Sequence, residues 1–174
     1  TFFFNLNAIK SGQSRPKDVP KYKPQKVGIL GAGMMGAGIA YAQASRGIAT
    51  VLKDVSLEKA EQGKAYSQKI TQPRVEKGRM NPNDQTALLG RITPTANAAD
   101  LNGCDLIIEA VFENRELKAQ VTKEAEGMLA EGGFFASNTS TLPISGLAQA
   151  SAKPEKFVGI HFFSPVDKMK LVEI

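Results

Sequence analysis

Apolar residues in this chain fall into short, nearly unbroken runs separated by stretches of helical spacing. Runs of the first kind are Val27 to Leu30, Ala49 to Leu52, Leu106 to Ile108 with Ala110 and Val111, Phe134 to Ala136, and Phe157 to Phe163. A strand that reads apolar on both faces is one buried on both sides of a sheet. The pattern predicts strands over 27–30, 49–53, 91–95, 105–111, 134–137 and 157–163. Between them it predicts helices. One runs over 34–46 and stops at Gly47, and a long polar one covers 56–77 and stops near Gly78. A short one follows the Asn81-Pro82-Asn83-Asp84 turn and ends at Gly90. Another carries Leu117, Val121, Ala125, Met128 and Leu129 on one face and ends at Gly132-Gly133, and a last one spans 143–150 with proline at an early position. Strands alternating with helices predict a parallel sheet covered on both faces.

The ends of the chain break this rhythm. Residues 1–9 are apolar and could form a short helix, whereas 10–25 carry three prolines, five lysines or arginines and no period, which reads as a linker. Lys170 to Ile174 reads as a strand with no turn or cap after it. A chain that opens without Met and closes on a strand looks like a piece cut from a longer polypeptide.

Its organising stretch is Lys26 to Gly38, where the first strand breaks into Gly31-Ala32-Gly33-Met34-Met35-Gly36 and continues as a helix of small residues. This is the dinucleotide-binding pattern: Gly31 for the tight turn, Gly33 so that a pyrophosphate can approach the backbone, Gly36 so that the helix lies close on its strand. The second strand ends in Asp54, 23 residues after Gly31, where an acid can hydrogen-bond a ribose hydroxyl. A carboxylate there repels a 2′-phosphate and favours NAD over NADP, with Lys53 the one positive charge nearby. The expected fold is therefore a Rossmann-type, doubly wound, mostly parallel sheet, with 169–174 added as a C-terminal antiparallel strand.

Composition narrows the class further. A chain of 174 residues holds one full domain and hardly more. The formal charge of +5 suits an anionic small molecule, but the basic residues are spread out rather than clustered with aromatics, so no nucleic acid partner is expected. No apolar run reaches the ~20 residues of a membrane span, and the opening Thr1-Phe2-Phe3-Phe4 lacks the basic start of a signal peptide. The single cysteine, Cys104, excludes an internal disulfide, fits a reducing compartment and reads as a small buried hydrophobe. No metal is expected.

In an open α/β sheet ligands bind beyond the carboxyl ends of the strands, which directs attention to the loops there. After the fourth strand, Glu113 and Lys118 could fix the nicotinamide ribose, or be an exposed helix-start acid and a solvated lysine. After the fifth, a hydroxyl of Asn138-Thr139-Ser140-Thr141 could meet the substrate or cap the next helix. His161, the only histidine, ends the sixth strand, and oxidation of an alcohol needs a base of its kind. If 157–163 and 169–174 form a hairpin about Asp167, Glu173 falls opposite His161 and can fix its tautomer.

The segments GILGAGMMGAGIA, DLIIEAVFEN, FASNTSTLPIS and GIHFFSPVDKMKLVEI resemble the NAD-binding domain of the L-3-hydroxyacyl-CoA dehydrogenase family over Lys26 to Ile174. EAVFEN with HFFSPVDKM after a proline-rich linker is most similar to the multifunctional α-subunits of the fatty-acid β-oxidation complex. The resemblance implies NAD-dependent oxidation of (S)-3-hydroxyacyl-CoA to 3-oxoacyl-CoA, with His161 as catalytic base, Glu173 as its partner and Ser140 as a substrate or cofactor contact. It implies that Gly31, Gly33, Met35, Gly36, Asp54, Val111, Glu113, Lys118 and Ser140 serve the NAD site. It also implies that residues 1–25 are a linker and the tail of a preceding domain, and that the family's helical second domain is absent, so that this piece binds cofactor but turns over little. Single-domain members commonly carry Asn where Ser164 stands, and the role of Ser164 is open. Further implications are an acyl-CoA substrate, a thiolase partner subunit, possible homo-oligomers, and a bacterial cytoplasmic or, alternatively, mitochondrial matrix location. Two other classes stay open: an NAD-binding module without catalysis, and a dehydrogenase of the same fold acting on another hydroxy acid.

Overall fold

The computed structural model describes residues 7–8, 11–12 and 16–174. The short helix expected over 1–9 therefore lies, apart from Asn7 and Ala8, outside the described residues. From there the elements run β1 (Lys26–Leu30), α1 (Met34–Ser45), β2 (Ala49–Lys53), α2 (Leu57–Glu76), α3 (Pro82–Gly90), β3 (Ile92–Thr95), β4 (Cys104–Glu109), α4 (Arg115–Ala125), β5 (Leu129–Ser137), α5 (Ile144–Ala148), β6 (Phe157–Gly159), β7 (His161–Phe162) and β8 (Val172–Glu173).

Six strands form one sheet in the order β3-β2-β1-β4-β5-β6, every pair parallel, which is the doubly wound order with its switch point between β1 and β4. Alternate residues of β1 feed opposite faces. Val27 and Ile29 join Ile39, Ala40, Leu52, Leu88 and Ile108 under α1 and α3, while Leu30 joins Val51, Leu101, Cys104, Ile107 and Phe135 under α4. Pro94 sits in β3, an edge strand that tolerates a missing donor. Cys104 is fully buried, as the sequence predicts, and burial pushes its thiol up to about 11. Among the described residues no helix is long and apolar enough to cross a membrane.

Three expectations need correction: the reach of the helix after the fourth strand, the sixth strand, and the place of the antiparallel strand. The helix predicted to reach Leu129 ends at Ala125, continues as a single 3-10 turn over Glu126–Met128, and gives way to β5 at Leu129, which pairs with Cys104 before a bulge brings Phe134 opposite Leu106. Leu129 packs against the same apolar cluster from a strand that it would have met from a helix, so apolar spacing could not separate the two. The strand predicted over 157–163 is two strands. β6 stays in the main sheet only as far as Ser137 opposite Gly159; then the Asn138 side chain accepts from Phe162 N (2.8 Å), and β7 pairs instead with β8. The antiparallel strand is thus a separate two-stranded sheet rather than an extension of the first. Apart from these, the end of the linker is docked: Tyr22 Oη donates to Asp105 O (2.7 Å), and Gln25 N and Lys26 N both donate to the Asp105 carboxylate (2.7 and 2.9 Å).

Candidate active site

The glycine loop turns between β1 and α1. Gly31 has φ +93°, and a Cβ there would stand 2.7 Å from Ala110 O on β4's exit, so glycine is required twice over. At Gly36 a Cβ would lie 1.7 Å from Gly31 O, which is how α1 closes on the loop. At Gly33 a Cβ would meet nothing within 4 Å and would project into open space. Gly33 caps α1 with no side-chain hydrogen bond, and the first turn holds no acid. The helix therefore presents its positive end without an internal anion. Asp54 closes the loop, Oδ2 accepting from Ala32 N (2.6 Å) and Oδ1 from Val55 N (2.7 Å). Lys53, which also lines this site, is held in an ion pair with Glu124 (3.0 Å).

These residues wall a cavity of about 430 Å³ that includes Gly31, Gly33, Met35, Asp54, Ala110 and Val111, with Leu117 and Val121 of α4 behind. A second cavity of about 360 Å³ shares Met35, Ala110 and Val111 and adds Glu113, Asn138, Ser140, His161 and Ser164. The two share this wall beside the switch point between β1 and β4.

In the second cavity His161 lies between two partners. Its Nδ1 is 2.8 Å from Glu173 Oε2, in the register in which residues 161 and 173 face each other, and its Nε2 is 3.1 Å from Ser140 Oγ. The loop carrying Ser140 is held from below: Glu113 Oε1 accepts from Thr139 Oγ1 (2.5 Å), Ser140 N (3.0 Å), Thr141 N (3.0 Å) and Thr141 Oγ1 (3.1 Å). Burial alone would raise the Glu113 carboxyl, but the Thr139 and Thr141 hydrogen bonds and the Lys118 ammonium together hold it down at about 2.

Lys118 is not solvated; it is 2% exposed, with Nζ at 2.8 Å from Glu109 Oε1 and 3.2 Å from Glu113 Oε2. Glu109, 1% exposed, also accepts from Val111 N (2.8 Å) and Ser137 Oγ (2.7 Å). Lys118 and Gly36 lie beneath the cavities rather than on their walls. Glu109 was missed in the sequence, although an acid closing an otherwise apolar strand was the signal that could have found it.

Residues 26–174 match the family model described as 3-hydroxyacyl-CoA dehydrogenase, NAD binding domain. The chain belongs to that family. Among curated relatives of this dehydrogenase domain, the fatty acid oxidation complex subunit alpha of Psychrobacter arcticus is 45% identical over 84% of the chain, which spans 20% of that relative's length. Among solved structures, (S)-3-hydroxybutyryl-CoA dehydrogenase from Ralstonia eutropha superposes with a TM-score of 0.82 at 37% identity, covering 86% of this chain and 53% of that one. The 3-hydroxybutyryl-CoA dehydrogenase of Escherichia coli has a TM-score of 0.82 at 32% identity, covering 87% of this chain and 32% of that one.

The cofactor of the dehydrogenase domain is NAD, and the residues present fit it. The open space at Gly33, the uncapped start of α1 and the spare lone pairs of Asp54 match a pyrophosphate and a ribose diol, while the apolar wall at Leu117 and Val121 suits a base. On α2 of the domain, Ser67 is fully buried and reaches no ligand, whereas Arg74 is exposed and donates to Tyr41 Oη (3.0 Å).

Proposed function

We propose that this domain serves a polypeptide that oxidises an (S)-3-hydroxyacyl-CoA to the 3-oxoacyl-CoA in fatty-acid β-oxidation. The observation that carries the reading is the Ser140–His161–Glu173 line beside the wall shared with the nucleotide cavity. Oxidising a carbinol requires its hydroxyl proton to leave as the hydride departs. A carboxylate can only accept, so Nδ1 carries the proton of the neutral ring and Nε2 offers its lone pair. Nε2 takes the substrate's hydroxyl proton while the Ser140 hydroxyl steadies the same oxygen. The resulting imidazolium stands against Glu173, which stabilises it. NAD, when bound, supplies the hydride acceptor. Gly31, Gly33 and the start of α1 would hold its pyrophosphate, Asp54 a ribose, and Met35, Val111, Glu113 and Ser140 its nicotinamide end. Lys118 would act from beneath through Glu113.

The relatives' greater length supports further parts of this reading: residues 1–25 join the domain to a preceding one, and a helical domain completes the acyl-CoA cleft. The α-subunit name borne by the curated relatives supports a second kind of subunit as partner, which on this reading is a thiolase, and their bacterial sources support the cytoplasm rather than the mitochondrial matrix.

Two measurements test the reading. Calorimetric titration of the chain should show saturable NADH binding, with NADPH at least about tenfold weaker because of Asp54. In the full-length polypeptide, His161→Ala should lower kcat by about a hundredfold or more while NADH affinity stays within about twofold. Turnover undiminished in His161→Ala overturns the assignment of the base.

A further inference from the structure

The strand that brings Glu173 to His161 is two residues long, pairs with a two-residue partner, and is exposed, with the Glu173 side chain 61% accessible. A ribbon of that size does not hold its own register in water. Something outside it must keep the carboxylate opposite the ring.

The connecting turn, residues 163–171, meets the rest of the domain at Ser164, whose Oγ donates weakly to Met34 Sδ of α1 (3.8 Å), at Val166 and at Asp167. Within it, Lys168 N and Met169 N both donate to Pro165 O (3.0 Å each), which folds it compactly. Val166 at its apex is buried against α1, so close to Gly38 that a Cβ there would lie 2.9 Å from Val166 Cβ. The adjacent residue, Asp167, is midway between 161 and 173, and its Oδ1 accepts from Tyr66 Oη of α2 at 2.8 Å. This is a charge-assisted bond in a part-buried place, about twice as strong as a neutral one. Burial, with Asp167 next to it, pushes the Tyr66 hydroxyl up to about 12, so it remains a donor at any pH near neutrality.

We propose that Tyr66 is a positioning residue: through Asp167 it holds the 163–171 turn so that Glu173 stays opposite His161 Nδ1. The Val166 contact at Gly38 is apolar and non-directional and fixes where the turn sits; the directional bond from Tyr66 fixes its rotation and hence the register of β8. For turnover the inference rests on the reading of His161 as base, but the placement it asserts does not.

His161 is the only histidine, so the nitrogen-15 shifts of the imidazole report on one ring without assignment. In the unmodified chain the neutral ring should show the pattern of a proton fixed on Nδ1. Tyr66→Phe, which keeps the ring and loses the donor, and Asp167→Ala should both move the pattern toward the tautomer mixture of an unpaired imidazole. Asp167→Asn, which still accepts from Tyr66, should retain most of the original pattern. Slow reaction of the buried Cys104 with thiol reagents shows that each variant is folded. In the full-length polypeptide Tyr66→Phe should lower kcat about tenfold with the NADH dissociation constant unchanged within about twofold. A role confined to packing would lower Tm and leave the nitrogen shifts alone, so an unmoved pattern in both Tyr66→Phe and Asp167→Ala overturns the proposal whatever His161 does in turnover. A moved pattern together with undiminished turnover in His161→Ala sustains the positioning and overturns the catalytic reading instead.

Discussion

Lys118 offers the sharpest energetic test. Replacing it by Met keeps most of the volume and removes the ammonium from between Glu109 and Glu113. Glu109 is then a carboxylate 1% exposed whose 2.8 Å counter-charge is gone. Breaking a buried pair from one side costs about 3–5 kcal/mol, because the remaining charge is stranded away from water. Here Val111 N and Ser137 Oγ still donate to Glu109, which puts the cost near the lower end, about 3 kcal/mol. For a domain of this size that is a fall in Tm of about 6–12 °C. Urea and thermal unfolding of Lys118→Met at neutral pH, followed by circular dichroism, measure it. Adding Glu109→Gln removes the stranded charge and should recover more than half of the loss, a coupling visible in the double-mutant cycle. A solvated lysine would give a change within about 0.5 kcal/mol, and that result refutes the reasoning.

Four other outcomes are expected. Gly36→Ala, whose Cβ would collide with the Gly31 carbonyl, should cost about 3 kcal/mol or prevent folding, whereas Gly33→Ala should leave Tm almost unchanged and weaken NADH binding about tenfold or more by calorimetry. The Glu113 carboxyl is held at about 2, below its ordinary 4.5, so its contribution to stability is complete above about pH 4.5 and is lost as pH falls through about 2; Glu113→Gln should flatten acid unfolding in that window. Ser67 Oγ is buried with no partner among the described residues, and Ser67→Ala should raise stability by about 1 kcal/mol in urea unfolding.

What could be read from the amino-acid order was whatever depends on neighbours in the chain. The sheet came through because its strands are apolar on both faces and the intervening helices carry their stops, as at Gly47 and Gly90. The pairing of His161 with Glu173 came through because a hairpin centred on Asp167 has only one register that does so. Contacts between distant side chains did not. Lys118 reads as either a cofactor residue or a solvated lysine one turn into a helix until Glu109 is seen across from it, and the break after Gly159 is made by the side-chain carbonyl of Asn138, just past the end of β5. Asp105 holding down Gln25 and Lys26, and Tyr66 reaching Asp167 about a hundred positions away, belong to the same class.

The central place of β1 has a consequence for how the domain comes to exist. Its neighbour β4 follows only after β2 and β3 have been threaded, and the Asp105 carboxylate grips backbone 79 and 80 positions earlier in the chain. Contacts of that separation make assembly slow, because the chain must be closed before they contribute. The nucleotide loop rests on this late juncture, since Gly31 is fitted against Ala110 just beyond β4. A dinucleotide therefore finds its site only once the sheet is whole, and mass action runs back the other way: NADH at a hundred times its Kd would add about 2.7 kcal/mol to the native state. When the nicotinamide pool falls, that increment of stability falls with it.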